Sequence, residues 1–177
     1  MANPFFTIGH STRPTAAFVD LLRAAEVRLV VDVRTVPRSR TNPQYNREVL
    51  AESLSAFQLA YEHIAALGGL RGRQRDVPPA VNAFWENQSF HNYADYAMSE
   101  DFHSGLIQLR ELGNAKRCAI MCAEAVWWRC HRQLLADALV ARGVEVRHIT
   151  SASAAPPHAL MDFARVEAER VSYRRLI

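Results

Sequence analysis

Short apolar runs alternate with amphipathic segments along this chain. The apolar runs predict strands at residues 5–8, 29–33, 59–61, 118–121 and 144–149. Apolar residues at helical spacing predict helices that begin near Thr15 and Asn46, cover residues 79–86 and 92–112, follow Cys130, and extend from Pro156 to about Arg170. Strands that alternate with helices are typical of a mainly parallel sheet with helices on both faces. We therefore expect a three-layer α/β fold of the Rossmann-like or flavodoxin-like kind.

Two features qualify this pattern. The long helical segment is expected to break near Ser99, whose side chain can cap its second half. Residues 63–79 lack periodicity and contain several glycines and a Pro-Pro pair, and a loop of this length tends to be functional or mobile. The sequence shows no repeat, linker or low-complexity segment. Residues 1–177 are therefore expected to form a single domain.

Composition narrows the classes of protein that this chain can belong to. The 177 residues are 49% hydrophobic and carry a net charge of +3, which is too small for a protein that coats nucleic acid. No apolar run approaches the roughly 20 residues of a membrane span, and residues 1–6 show no secretory signal. Three cysteines are an odd number, which favours free thiols in a reducing cytoplasm.

Polar side chains follow every predicted strand. They are His10 and Ser11 after the first, Asp32, Arg34, Arg38 and Ser39 after the second, His63 after the third, Cys122 and Glu124 after the fourth, and His148 near the end of the fifth. The carboxyl ends of parallel strands share one edge, where open α/β sheets bind their ligands. We therefore expect these residues to converge on one polar cleft.

The junction from Cys122 to Arg132 is the richest in chemistry, because it combines two thiols, a carboxylate, an imidazole and two guanidinium groups. Cys130, His131 and Arg132 stand where a helix is predicted to begin, and a helix N-terminus attracts anions and lowers the pKa of a thiol. Arg132 is expected to bind an oxyanion there. Either thiol is a candidate nucleophile, although free cysteines are also ordinary core residues.

Candidate roles can be assigned residue by residue. The candidate catalytic residues are His10, Asp32, Cys122, Glu124 and Cys130. The candidate substrate-binding residues are Ser11, Arg34, Arg38, Ser39, His63, His131 and Arg132. Asp32 follows three apolar residues, so it must be paired if it is buried, most simply by Arg34 or Arg132. A structural ion pair and a catalytic role are equally compatible with that position.

Two further interpretations stay open. Cys122, Glu124, Cys130 and His131 could ligate a metal, but their spacing matches no compact zinc pattern, so no metal site is predicted. The loop from Gly68 to Arg75 mixes glycine with three arginines, which suits a phosphate-binding or nucleic-acid-facing loop and equally a mobile surface loop. The sequence contains neither a Walker motif nor a dinucleotide-binding fingerprint, and it identifies no cofactor.

Several motifs recur in one order along the chain. They are Thr7-Ile8-Gly9-His10-Ser11, Val31-Asp32-Val33-Arg34, Asn42-Pro43-Gln44-Tyr45-Asn46, Tyr61-Glu62-His63 with Leu67-Gly68-Gly69, Tyr93-Ala94-Asp95-Tyr96, and Met121-Cys122-Ala123-Glu124 with Cys130-His131-Arg132. Together they resemble the family catalogued as domain of unknown function 488. The pair Trp127-Trp128 departs from the more polar linker of many relatives. The resemblance implies a compact α/β domain from bacteria or archaea and no established activity.

Three hypotheses about function follow. The leading one is an enzyme that acts on a small phosphate-bearing molecule or a nucleotide. The rival is a non-catalytic module that binds nucleotides or single-stranded nucleic acid, and the third is a redox or metal-responsive protein that uses Cys122 and Cys130. An enzyme requires shifted pKa values in one pocket, a nucleic-acid binder requires basic residues well beyond it, and a redox pair requires Cα atoms within ~7 Å.

Overall fold

The sheet of this protein is parallel and lies between two layers of helices. A computed structural model describes residues 2–175. The strands are β1 (Phe5–Gly9), β2 (Leu29–Asp32), β3 (Ala60–His63), β4 (Cys118–Cys122) and β5 (Val146–His148), arranged in the order β3-β2-β4-β1-β5. The helices are α1 (Thr15–Ala24), α2 (Arg47–Ser55), α3 (Gln88–Tyr96), α4 (Glu100–Ala115) and α5 (Arg132–Val140). The predicted three-layer α/β fold is confirmed.

Alternate residues of each central strand face opposite helix layers. Val30 and Met121 belong to a core cluster with apolar residues of α1 and α2. Val31 and Ile120, one position along, belong to a second cluster with residues of α3, α4 and α5. Burial on both faces explains why these strands read as continuous apolar runs. Within residues 2–175, no helix has the length and apolar character that crossing a membrane requires.

Strand register brings the polar strand ends to one edge. Gly9 at the end of β1 is the register partner of Cys122 at the end of β4. Asp32 at the end of β2 pairs with Met121 on one side and with His63 on the other. Because all of these pairings are parallel, the carboxyl ends of four neighbouring strands lie side by side. This edge carries the candidate site.

Of the three predicted helix caps, one is present and two are not. Ser99 caps α4 as predicted, because its hydroxyl oxygen accepts a hydrogen bond from the amide of Phe102 at 3.2 Å. Thr15 is the first residue of α1 and does not cap it. Asn46 precedes α2, but its side-chain oxygen accepts the amide of Ser39 at 2.8 Å and so fixes the preceding loop instead.

The helix predictions for residues 79–86 and 156–170 are wrong. Residues 79–86 form only a short 3-10 helix, Pro79–Asn82, whose last side chain is buried and donates to Asp95 at 2.7 Å. Residues 156–170 contain no helix. Instead, the antiparallel hairpin of β6 (Arg165–Glu167) and β7 (Arg170–Ser172) turns through two residues with positive φ, as a tight hairpin requires. Strands this short offer too few alternating positions to be recognised by period.

Candidate functional site

A cleft of about 460 Å³ opens at the carboxyl edge of β2 and β4. Six of the predicted site residues line it, namely Arg34, Arg38, Cys122, Glu124, Cys130 and His131. The lining also includes residues outside the list of candidate site residues, among them Val36, Leu70, Phe90 and Arg129. Arg38 and Arg129 are exposed, and Leu70 is 74% exposed. The cleft therefore combines an apolar wall with cationic side chains, and buried thiols lie among its lining residues.

The thiol pair joins β4 to α5. Cys122 ends β4 and Cys130 lies just before α5, and their Sγ atoms are 2.7 Å apart. Both side chains are buried, and both thiols are free. The backbone amide of Arg132, in the first turn of α5, donates to Cys130 Sγ at 3.5 Å. Little movement would be needed to form a disulfide, whose S–S bond is about 2.05 Å.

The surroundings shift the pKa values of the two thiols in opposite directions. Burial alone would raise the pKa of Cys130, but hydrogen bonds from Cys122 and His131 and the positive charges of His131 and Arg132 hold it well below its usual value. Burial and the neighbouring Cys130 raise the pKa of Cys122. Cys130 is therefore the more acidic thiol of the pair, and Cys122 is the one that donates the hydrogen bond. Cys118, within β4, has its pKa raised to about 12 by burial and is inert by comparison.

His131 is oriented as a proton acceptor for Cys130. Its Nε2 lies 3.0 Å from the carbonyl oxygen of Val33, which can only accept a hydrogen bond, so Nε2 carries a proton. In the neutral ring Nδ1 is then the acceptor for the proton of the Cys130 thiol, whose Sγ lies 3.4 Å away, and after taking that proton it donates a hydrogen bond to the thiolate. Gly69 packs against this ring so closely that an added Cβ would come within 2.5 Å of Nδ1. The glycine is needed for that close approach.

Asp32 and Arg34 form a buried ion pair. Arg34 donates to the carboxylate from Nε at 2.9 Å, from Nη2 at 2.7 Å and from its own backbone amide at 3.0 Å. The hydroxyl of Tyr61 donates to the same carboxylate. With four donors and no exposure, Asp32 holds Arg34 in place and has no free lone pair facing the cleft. Of the two roles considered from sequence, the geometry favours the structural one.

His10 also supports Arg34 and does not line the cleft. Its Nδ1 donates to the carbonyl of Ser11 at 2.8 Å, and its Nε2 faces Arg34 Nη1 at 3.4 Å. The ring stacks on Tyr45 with centroids 4.1 Å apart. Burial lowers the pKa of His10, and the charge of Arg34 adds to this effect. A neutral ring with one fixed tautomer is suited to positioning a guanidinium.

Arg132 lies inside the protein, away from the cleft surface. It is 1% exposed, and its Nη1 donates to the hydroxyl of Thr7 at 3.3 Å. Its Nη2 donates to the carbonyl oxygens of Glu124 and Ala125, at 2.5 and 3.4 Å. The expected oxyanion contact is thus replaced by contacts that clamp the loop after β4. The sequence indicated that Arg132 stands at the start of a helix, but it could not show that the side chain points into the protein.

The remaining predicted residues serve the surrounding loops. The hydroxyl of Ser39 accepts the amide of Asn42 at 3.0 Å, and the backbone amide of Ser11 donates to the carbonyl of Ala123 at 2.9 Å. His63 Nε2 donates to the carbonyl of Arg34 at 2.7 Å.

The exposed Glu124 accepts the amide of Val126 at 3.2 Å through its side chain. Among residues 2–175, no three histidine, cysteine or acidic side chains converge to hold a metal.

Fold and site together define a parallel α/β protein with a thiol pair in a cationic cleft. The chain belongs to the family described as Domain of unknown function DUF488, whose model matches residues 14–139. The resemblance found in the motifs is thereby confirmed. No curated protein and no solved structure matched the chain in the same comparisons. The matched segment contains both thiols and ends before β5 and the hairpin.

Proposed function

We propose that this protein is a thiol-dependent enzyme, in which Cys130 attacks a disulfide bond of a small anionic substrate and Cys122 resolves the intermediate. The observation that carries the proposal is the thiol pair, with 2.7 Å between its Sγ atoms and His131 Nδ1 at 3.4 Å. A thiolate beside a second thiol within bonding reach is the arrangement that thiol–disulfide exchange requires. The free thiols fit a reducing compartment.

The reaction takes two exchange steps. The Cys130 thiolate forms a bond to one sulfur of the substrate disulfide, and the other half of the substrate leaves as a thiolate that takes up a proton. Cys122 then loses its proton and attacks Cys130 Sγ, which releases the second half as a thiol and leaves a Cys122–Cys130 disulfide. The substrate disulfide is the oxidant, and the two protein thiols are the reductant.

The cleft suits a substrate that is both anionic and partly apolar. Arg38 and Arg129 present exposed guanidinium groups to the cleft, and Arg34 is held there by Asp32. Phe90 and Leu70 offer apolar contact. A carboxylate or phosphate group would bind the guanidinium groups while the body of the substrate packs on the apolar wall.

Reaction with two aromatic disulfides tests the proposal. Dithiobis(nitrobenzoate) is anionic and dithiodipyridine is neutral. Replacing both Arg38 and Arg129 by Gln should slow the first reagent roughly twofold to thirtyfold, because each exposed ion pair is worth about 0.2–1 kcal/mol, and leave the second unchanged. A Cys122→Ser variant should accumulate a mixed disulfide on Cys130, detected by mass spectrometry. An adduct that forms on Cys122 in a Cys130→Ser variant at the same rate would overturn the assignment.

Two glycines of one loop provide a matched pair for the role of His131. Gly69→Ala should push the ring away from Cys130 and move the pH–rate profile of the thiol to higher pH, because the added Cβ would lie 2.5 Å from Nδ1. Gly72→Ala should have no effect, since nothing lies within 4 Å of its added Cβ. Identical profiles for the two folded variants would exclude the Cys130–His131 pair.

Binding of a phosphate-bearing ligand without chemistry is the second candidate function, favoured by the exposed arginines of the cleft. Sulfate or phosphate should then raise the Tm of the wild type by binding the native state. Arg129→Ala should lose that response, and Arg165→Ala, which removes an exposed arginine of the hairpin, should keep it. Equal responses in both variants would indicate a general salt effect.

Nucleic acid as the ligand would require cationic surface beyond the cleft. Arg73 and Arg75 line a neighbouring cavity of about 720 Å³, which gives this option some support. Arg71 of the same loop is already engaged, because it donates to the carbonyl of Gly68 at 3.0 Å and packs over the ring of Tyr96.

A further inference from the structure

A continuous chain of buried hydrogen bonds runs behind the thiol pair. His158 Nε2 lies 2.7 Å from Asp137 Oδ1, and His148 Nε2 lies 2.9 Å from His158 Nδ1. His148 Nδ1 lies 2.6 Å from the hydroxyl of Thr7, which accepts from Arg132 Nη1 at 3.3 Å. None of these five side chains is more than 8% exposed. The chain joins α5, β5, β1 and the segment before the hairpin.

One direction of the chain satisfies all of its bonds. A guanidinium can only donate and a carboxylate can only accept, and a neutral His148 with its proton on Nε2 then accepts from the Thr7 hydroxyl and donates to His158 Nδ1. Burial lowers the pKa of His148 to about 3, helped by the charges of His158 and Arg132, which keeps the ring neutral across the physiological range.

Two aromatic residues contact the hydrogen-bonded chain. Trp127 stacks on His148 with ring centroids 4.1 Å apart and an angle of 2° between the planes. The hydroxyl of Tyr173 donates to the second oxygen of Asp137 at 2.7 Å. One face of the His148 ring is thereby covered, and both oxygens of the Asp137 carboxylate accept hydrogen bonds.

Arg132 is the end of the chain that reaches the site. Its Nη2 donates to the carbonyl oxygen of Glu124, and Cys122 Sγ lies 3.8 Å from the same oxygen. Among residues 2–175 no carboxylate forms a salt bridge with Arg132, in contrast to Arg34, which has Asp32. A buried cation without a carboxylate calls for another negative charge nearby, and the Cys130 thiolate supplies one.

We propose that Thr7, His148, His158 and Asp137 are positioning residues, which hold the Arg132 guanidinium behind the thiol pair and so keep Cys130 in its thiolate form. The inference rests on the proposed function of that pair. The titratable and charged groups around Cys130 are Cys122 from β4, His131 and Arg132 from the start of α5, Tyr93 from α3, and Arg34, Arg38, Glu124 and Arg129 from the cleft loops. Only Arg132 among them is bonded to the chain.

Thr7→Val is the sharpest test, because it removes the central hydroxyl and retains the shape of a β-branched strand residue. The pH dependence of Cys130 alkylation by iodoacetamide is measured by site-resolved mass spectrometry. The profile of Thr7→Val should move to higher pH, with a roughly tenfold lower rate where the thiol titrates, which corresponds to a change of one pKa unit. Thr7→Ser, which restores the hydroxyl, should return the profile towards that of the wild type.

Ser99→Ala is the control for stability alone. The Ser99 hydroxyl accepts from the amide of Phe102, so the substitution removes the cap of α4 and should lower the Tm without moving the alkylation profile. If Thr7→Val fails to fold, Thr7→Ala is measured in its place. A profile for the folded Thr7 variant that superimposes on the wild type overturns the positioning role and leaves the proposed function intact. If Cys130 of the wild type reacts only after denaturation, the proposed function itself fails.

Discussion

Asp32→Asn separates the structural from the catalytic role of the buried carboxylate. The substitution keeps the shape of the side chain and removes its charge. Arg34, which is 7% exposed, then keeps the carbonyl of Tyr45 at 2.7 Å as its other main acceptor and loses its counter-charge. Tyr61 simultaneously loses the charged acceptor of its hydroxyl.

The expected cost follows from the loss of one partner of a buried ion pair. Such losses amount to about 3–5 kcal/mol, and because Arg34 borders the open cleft we expect a value of about 3. That is a large share of the ~5–15 kcal/mol that stabilises a typical domain. For a chain of this size it corresponds to a fall in Tm of roughly 6–12 °C. Tyr61→Phe, which removes a single donor, should cost ~1.5 kcal/mol.

Urea denaturation measures the free energy of unfolding of both variants, with an unchanged m-value confirming that the same surface is exposed. Alkylation of Cys130 in folded Asp32→Asn should retain the rate of the wild type. The opposite pattern would refute the structural role. In that pattern the unfolding free energy of Asp32→Asn lies within about 0.5 kcal/mol of the wild type while disulfide turnover is abolished.

Three other predictions address the loop after β4, the start of α4 and the thiolate. Gly9→Ala should lower the unfolding free energy by roughly 1–3 kcal/mol and expose the thiols to alkylation, because its Cβ would come within 1.9 Å of the Glu124 carbonyl oxygen. Unchanged thermal unfolding of this variant would contradict the close packing of Gly9 against the loop. Ser99→Ala should cost ~1 kcal/mol in urea denaturation, and a loss near zero would show that the cap is not needed. Because folded Cys130 has a pKa well below 9, the folded state binds fewer protons than the unfolded state between that lowered pKa and 9. Across this window the stability of the wild type relative to Cys130→Ser should rise by about 1.4 kcal/mol per pH unit and level off above it, and parallel pH curves would exclude a thiolate.

The fold could be predicted from the sequence because it depends on runs and periods. Strands buried on both faces read as continuous apolar runs, and parallel topology brings their carboxyl ends to one edge whatever the loop details. This logic places Cys122, Cys130 and Arg34 at the cleft. It fails for the hairpin of β6 and β7, whose strands of three residues each are too short to show a period.

The sequence could not reveal which way each polar side chain points. Arg132 stands at the start of α5 as expected. Its side chain points into the protein, however, because the loop after β4 follows the Gly9–Cys122 pairing and its Glu124 carbonyl accepts a hydrogen bond from the guanidinium group. Phe90 and Arg129 belong to the cleft only because α3 and the loop before α5 meet there. Contacts of this kind depend on tertiary packing, which local patterns do not encode.

The contrast between the two buried guanidinium groups supports the proposal that the thiol pair is the reactive part of this site. Arg34 is neutralised by Asp32, so its surroundings are complete in any state of the thiols. Among residues 2–175 the hydrogen-bond acceptors of Arg132 are neutral, namely the carbonyls of Glu124 and Ala125 and the hydroxyl of Thr7, and in the proposed thiolate form Cys130 balances its charge. Formation of a Cys122–Cys130 disulfide would remove that balancing charge. Since a stabilised reduced form makes a disulfide a stronger oxidant, we expect a small thiol reductant to return the oxidised pair readily to the reduced form that attacks the substrate disulfide.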